Sequence, residues 1–154
     1  ADWLSRGRTV LVPVLKHAGR ISALAKVLSS ADAANMPVLI IDDEPTIRML
    51  IADALGELGY TCAEASDGPT GLSILQSNER IDLLISDVGL PGGLNGRQVA
   101  DAARALRPEL KVLFITGYAE NAVLNHGHIQ HGMEVLTKPF AVSDLTARVD
   151  RLLG

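Results

Sequence analysis

Cys62 is the only cysteine in the chain, so no intramolecular disulfide can brace the fold, and stability must come from a packed core. No charged start followed by an apolar run and a small-residue cleavage site marks a secretory signal, and the cytoplasm is the expected compartment. No uncharged apolar stretch reaches the roughly 18 to 20 residues that a membrane-spanning helix requires, so no membrane contact is expected of this segment. Basic residues are in the minority. With 14 Lys and Arg against 18 Asp and Glu, the formal charge is -4, and a nucleic-acid surface is disfavoured. Nor does a glycine-rich phosphate loop follow the first predicted strand, which argues against a nucleotide-binding protein of related fold.

What the chain does have is apolar content, 47% over 154 residues, enough for one compact core and an appendage. From Pro37 onward, short apolar runs alternate with helical patterns. Val38–Ile41, Ile81–Ile85 and Val112–Ile115 read as strands buried on both faces, Thr61–Ala65 and Glu134–Thr137 as two more. Ile47, Leu50, Ile51, Ala54, Leu55 and Leu58 form one apolar stripe on a helix ended by Gly59. Further helices are expected over Pro69–Ser77, around Val99, Ala102, Ala103 and Leu106 with Pro108 as the stop, near Glu120–Gln130, and over Val142–Leu153. Five strands alternating with five helices predict a doubly wound α/β fold, a five-stranded parallel sheet in the order 2-1-3-4-5 with helices on both faces. Chemistry in such a sheet is expected beyond the carboxyl ends of the strands, at the switch point between strands 1 and 3.

Residues 1–36 read differently, with Thr9–Leu15 as a candidate strand, Ile21–Leu28 as a short helix and Ser29–Asn35 as a small-residue linker. They are expected to be an N-terminal extension or linker, and residues 37–154 the domain proper. Ala1 in first place suggests an excised or processed piece, and the finish directly after the last helix suggests that output is delivered by another module or partner.

Five polar groups fall at the predicted strand ends: Asp42 and Asp43 after the first, Asp87 after the third, Thr116 after the fourth and Lys138 after the fifth. Carboxylates brought this close repel unless a cation joins them, and hard oxygen ligands with open positions suit Mg²⁺. The expected ligands are Asp43, Asp87 and the Gly89 backbone carbonyl, with Asp42 reaching the metal partly through water. Asp87 then serves as a nucleophile toward phosphorus, Lys138 neutralises charge on the transferring oxygens, and the Thr116 hydroxyl donates to a phosphoryl oxygen once the group is attached. The charge of that group, about -1.5 to -2, is enough to bias a loop with two nearby arrangements.

Val38-Leu39-Ile40-Ile41-Asp42-Asp43-Glu44-Pro45, Leu83-Leu84-Ile85-Ser86-Asp87, Phe114-Ile115-Thr116-Gly117 and Thr137-Lys138-Pro139-Phe140, taken together and in order, resemble the receiver family of response regulators. The resemblance implies a flavodoxin-like fold and a phosphoacceptor of two-component or phosphorelay signalling, with Mg²⁺-dependent self-phosphorylation and autodephosphorylation but no enzyme turnover. It implies that Asp42 and Asp43 are the acidic pair, Asp87 the phosphoacceptor, Thr116 the switch hydroxyl, Lys138 the invariant lysine and Pro139 a cis proline aiming that lysine. A histidine kinase or histidine phosphotransfer protein is the implied partner, and homodimers are an open option. Two departures stand out. Pro91-Gly92-Gly93-Leu94-Asn95-Gly96 carries one glycine more than the family pattern, and Val135 stands where an aromatic switch residue is common, which leaves Tyr118 as the candidate moving ring.

Arg6-Gly7-Arg8-Thr9-Val10 faintly resembles the last strand of a histidine-kinase ATP-binding domain, so the chain is either the carboxyl-terminal receiver of a hybrid kinase or a stand-alone regulator. The rival readings are a receiver-like binding module that is never phosphorylated, and an aspartyl-phosphate phosphatase. The phosphatase needs a second acid two residues after the nucleophile, where Gly89 stands. His126, His128 and His131 lack a matching Cys or carboxylate and are expected to be solvated, and Cys62 to be a small buried hydrophobe.

Overall fold

The computed structural model describes residues 36–117 and 130–154. The expected elements of 1–35, Tyr118, His126, His128 and nearly all of the helix expected near Glu120–Gln130 lie outside the described residues. Pro37–Ala54 and Cys62–Gly154 form one compact unit, while Leu55–Thr61 fall to a second.

In chain order the elements are β1 (Pro37–Ile41), α1 (Pro45–Glu57), β2 (Thr61–Ala65), α2 (Gly68–Gln76), β3 (Leu83–Asp87), α3 (Gly96–Leu106), β4 (Lys111–Thr116), β5 (Met133–Thr137) and α4 (Val142–Leu153). The strands lie in the order β2-β1-β3-β4-β5 in one all-parallel sheet, as the alternation predicts. Register aligns Ile40 with Ile85, Ile85 with Leu113, and Phe114 with Val135, so that the carboxyl ends of β1, β3, β4 and β5 finish along one edge.

Burial follows position in the sheet. Central β3 is buried throughout, whereas edge strand β2 is exposed or half-buried until Ala65. Leu39, Ile41, Leu84, Val112 and Phe114 share one cluster with Leu75 of α2 and with Val99, Ala100 and Ala103 of α3. Their alternate neighbours point to the other face, where α4 packs on β4 and β5 with Leu145 and Val149 fully buried. Among the described residues no helix is long and apolar enough to cross a membrane.

Local chemistry sets the helix starts. Asp67 caps α2 by accepting from Thr70 N at 2.8 Å, and Asn95 with Gln98 forms a reciprocal capping box at the start of α3. Arg107 closes the other ends, donating to the Leu75 and Ser77 carbonyls at 2.9 Å each.

Four expectations need correction. The third strand starts at Leu83 and not Ile81, because Ile81 is used as an apolar anchor in the core just ahead of it. The α1 stripe is only partly buried, with Ile51 covered but Leu50 40% exposed. On α3 the buried stripe is Val99, Ala100 and Ala103, and Leu106 is 54% exposed at the end of the helix. Cys62 is half-buried on edge strand β2, where burial and then the charge of Glu64 push its thiol up to about 11.

Candidate functional site

At the carboxyl edge of the sheet, β1 runs straight into Asp42 and β3 ends on Asp87; both side chains are nearly covered, 1% and 6% exposed, while Asp43 is exposed. Carboxylate oxygens of Asp42, Asp43 and Asp87 lie within 4.8 Å of one another. Each buried acid has one oxygen held by a backbone N–H. Asp42 Oδ1 accepts from Glu44 N at 2.8 Å, and Asp87 Oδ1 accepts from Gly89 N at 3.2 Å. The second oxygens face Lys138, whose Nζ stands 3.6 Å from Asp42 Oδ2, 3.5 Å from Asp87 Oδ2 and 3.7 Å from Glu44 Oε1. The ammonium is shared among three carboxylates at distances longer than a strong ion pair.

Lys138 reaches this position because β5 ends one residue earlier and its own N–H donates to the Thr116 carbonyl at 2.8 Å. The Lys138–Pro139 peptide bond is cis. Thr116 is buried at the end of β4, and its hydroxyl donates to the Gly117 carbonyl at 2.9 Å.

Below Asp87 the backbone has no slack. The Gly96 N–H donates to the Val88 carbonyl at 2.9 Å, and a Cβ at position 96 would sit 2.2 Å from the Asp87 carbonyl oxygen. Helix α3 therefore begins hard against the peptide of Asp87. Gly96→Ala is expected to cost about 1–3 kcal/mol, since backbone and not a side-chain tip must give way. Chemical denaturation measures that loss, and an unchanged midpoint would show that the contact relaxes freely. Between these fixed points the extra glycine is carried outward: Pro91, Gly92 and Gly93 are exposed, with φ of +87 and +95 at the two glycines, between the buried Leu90 and the partly buried Leu94.

Electrostatics match the geometry. Burial pushes the Asp42 carboxyl above its ordinary 3.8, the bond from Glu44 N and the charge of Lys138 opposing and the neighbouring acids adding. Burial raises Asp87 likewise, against the pull of Lys138 and Gly89 N. Desolvation alone would lower Lys138, but Asp42, Asp87 and Glu44 together hold it above 10.5. An acid raised in the folded state gives stability that is complete below its ordinary value and lost as pH rises through the folded one. In chelator, the metal-free domain should therefore gain stability as pH falls from neutral toward 3.8. Glu134, lowered chiefly by its hydrogen bond from Arg151, keeps its contribution until pH falls below its ordinary 4.5. The check is the difference in melting temperature between wild type and Asp87→Asn across this range: it should shrink as pH falls, and a difference that grows would contradict the sign.

A hard divalent cation fits this donor set. Among the described residues Asp42 Oδ2 is buried and accepts no hydrogen bond, and the Lys138 ammonium is divided among Asp42, Asp87 and Glu44 while Asp43 adds a further negative charge to the cluster.

All the expected site residues within the described range converge on this edge: Asp42, Asp43, Asp87, Gly89, Thr116, Lys138 and Pro139. Tyr118 lies outside the described residues. Val135 is on β5, packed against the core cluster. Sequence reasoning missed Glu44, Gly96 and Arg48, which donates to the Asp42 carbonyl at 2.7 Å. Arg48 left one signal, a cation close to the N-terminus of a helix, where the dipole disfavours it.

Known proteins share the sequence and fold of this chain over most of the described length. Over 100 residues the chain is 39% identical to the sensor histidine kinase RcsC of Escherichia coli, covering 62% of this chain and 10% of that one. It is 30% identical over 116 residues to the response regulator receiver protein CpdR of Brucella abortus (strain 2308), covering 75% and 95%. The crystal structure of a response regulator receiver protein from Sinorhizobium medicae WSM419 superposes with a TM-score of 0.70 at 27% identity, covering 77% of this chain and 94% of that one. The chain spans only 10% to 13% of the length of the sensor kinases it matches. The family model for the response regulator receiver domain matches residues 38–150, most of the sheet and every acid at its edge, and the chain belongs to that family.

Proposed function

We propose that Asp87 is the phosphoacceptor of this receiver, that residues 37–154 form the receiver and that residues 1–36 are an extension or linker. The observation that carries the reading is the shared position of Lys138, 3.5 Å from Asp87 Oδ2 and 3.6 Å from Asp42 Oδ2, beside an acid cluster. An oxygen of Asp87 attacks phosphorus in line as the bond to the donor's imidazole nitrogen breaks, and the ring, protonated on its other nitrogen, leaves as neutral imidazole, giving an acyl phosphate. The Lys138 ammonium leaves its carboxylate partners to follow a phosphoryl oxygen, and the Thr116 hydroxyl turns from the Gly117 carbonyl to donate to another. Mg²⁺ would be held by Asp43, Asp87 and the Gly89 carbonyl, with Asp42 through water, and supplies charge neutralisation at the transferring oxygens. Tyr118 is the ring expected to move with Thr116.

The partner is a histidine kinase or histidine phosphotransfer protein. Beside the site lies an apolar groove of about 460 Å³ lined by Ile47, Leu50, Lys138, Pro139 and Phe140, suited to a phosphodonor's apolar face. No second substrate is turned over, since the residues at the edge serve self-phosphorylation and its reversal by water.

Intact-mass spectrometry after incubation with a small-molecule phosphodonor tests the reading. One phosphoryl adduct is expected with Mg²⁺ and none in chelator; absence of an adduct under both conditions would overturn it. Mg²⁺ should also stabilise the domain by about 2.7 kcal/mol at a hundred times its Kd, read as a rise in melting temperature that chelator reverses.

A further inference from the structure

We infer that Arg48 is a positioning residue for the acidic pair, fixing the turn from which Asp42 and Asp43 reach a divalent cation; this rests on reading the cluster as a cation site.

The turn Asp42–Glu44 carries both ligating side chains but little that holds it. Asp42 N donates to the Ala65 carbonyl at 3.2 Å, and Glu44 N folds back to Asp42 Oδ1 at 2.8 Å. Lys138 touches the Asp42 and Glu44 side chains from across the sheet edge, and among the described residues the further bonds to the turn's carbonyls come from Arg48. Its backbone N–H donates to the Glu44 carbonyl at 3.1 Å, its Nη1 donates to the Asp42 carbonyl at 2.7 Å, and its Nε donates to Glu64 Oε1 at 3.3 Å. One planar guanidinium thus spans from the buried end of β1 to edge strand β2. The contact to Asp42 is the shorter one and is part-buried. The contact to Glu64 faces solvent, with that side chain 43% exposed, and serves to orient the guanidinium more than to add energy. A lysine has no second donor in a fixed fork and cannot hold both partners in this geometry.

Without Arg48, the Asp42 carbonyl loses its charged donor and the turn is free to rearrange, so that the carboxylates lose their spacing. Groups that orient a ligand from outside the coordination sphere typically change metal affinity about 10- to 100-fold. Charge works the other way. Deleting a cation near an acidic cluster by itself strengthens Mg²⁺ binding. Geometry and electrostatics therefore predict opposite signs.

The test is isothermal titration of Mg²⁺ into the full chain, wild type against Arg48→Ala, Arg48→Lys and Glu64→Gln, with the Mg²⁺ dependence of adduct formation measured alongside. Weakening of about ten-fold or more is expected for Arg48→Ala, and clear weakening for Arg48→Lys although its charge is kept. A smaller loss is expected for Glu64→Gln. Adduct formation should need more Mg²⁺ yet reach the wild-type rate at saturation. Unchanged or tighter binding in both Arg48 variants would overturn the inference, as would a lowered plateau with an unshifted Mg²⁺ midpoint. Should Arg48→Ala fail to fold, Arg48→Lys decides alone. If wild type itself binds no Mg²⁺, the reading of the cluster fails and not merely the role of Arg48.

Discussion

Asp87→Asn should abolish the phosphoryl adduct completely while leaving the domain folded and, in chelator, more stable than wild type. The two halves of this expectation come from the same fact. Asp87 is a nearly covered carboxylate beside Asp42 and Asp43, so its charge is costly in the resting state, and burial raises its pKa. The amide keeps the shape and can still meet Gly89 N through its oxygen, but it cannot form an acyl phosphate. For a domain of this size, each kcal/mol of relieved repulsion moves the melting temperature by roughly 4 °C. Intact mass reads the first half and a thermal melt the second. An adduct retained by the variant would assign the chemistry to another residue. A melting temperature below wild type would mean that the carboxylate was held favourably, against the direction that burial predicts.

Lys138→Ala should lower the rate of adduct formation by about 10²-fold at saturating Mg²⁺, the usual effect of deleting one preorganised group that meets developing charge. Its effect on stability should depend on metal. Without Mg²⁺, the ammonium stands between Asp42, Asp87 and Glu44, and its loss removes the contact that those three carboxylates share. Because 24% of the side chain is exposed, that loss is on the order of 1 kcal/mol and not the several expected of a fully buried pair. Adding Mg²⁺ should then stabilise the variant more than it stabilises wild type. Single-turnover rates and melts with and without Mg²⁺ separate the two roles. A rate within two- or three-fold of wild type would remove Lys138 from the chemistry.

Most of the edge was readable in the sequence because its parts lie at the ends of apolar runs, and a run that ends on Asp42, Asp87 or Thr116 fixes where the side chain stands once the strand order is known. The order itself followed from strict alternation. Less readable was everything set by packing between elements. Ile81 looked like strand and is an anchor ahead of it, since periodicity alone does not tell a buried residue in a ladder from one beside it. Leu106 and Leu50 fit helical stripes yet are 54% and 40% exposed, because what a stripe buries depends on what lies opposite. Gly96 looked like one of several loop glycines, and its need for a bare Cα comes from the Asp87 carbonyl, nine residues earlier in the chain. Arg48 was passed over because its partners are main-chain and solvent-facing atoms, which leave no motif.

The loop between Asp87 and Gly96 also bears on how this family can change. Its two ends are fixed, one by the end of β3 and the other by a helix start that admits no side chain, while Leu90 and Leu94 anchor the inner flanks. Extra length therefore has one way to go, outward through Pro91, Gly92 and Gly93, where an added Cβ at either glycine would meet nothing within 4 Å. Added length at this tip is expected to leave the acid cluster where it is, provided that the two positive-φ positions stay glycine, so the loop offers a place for a recognition handle beside the site.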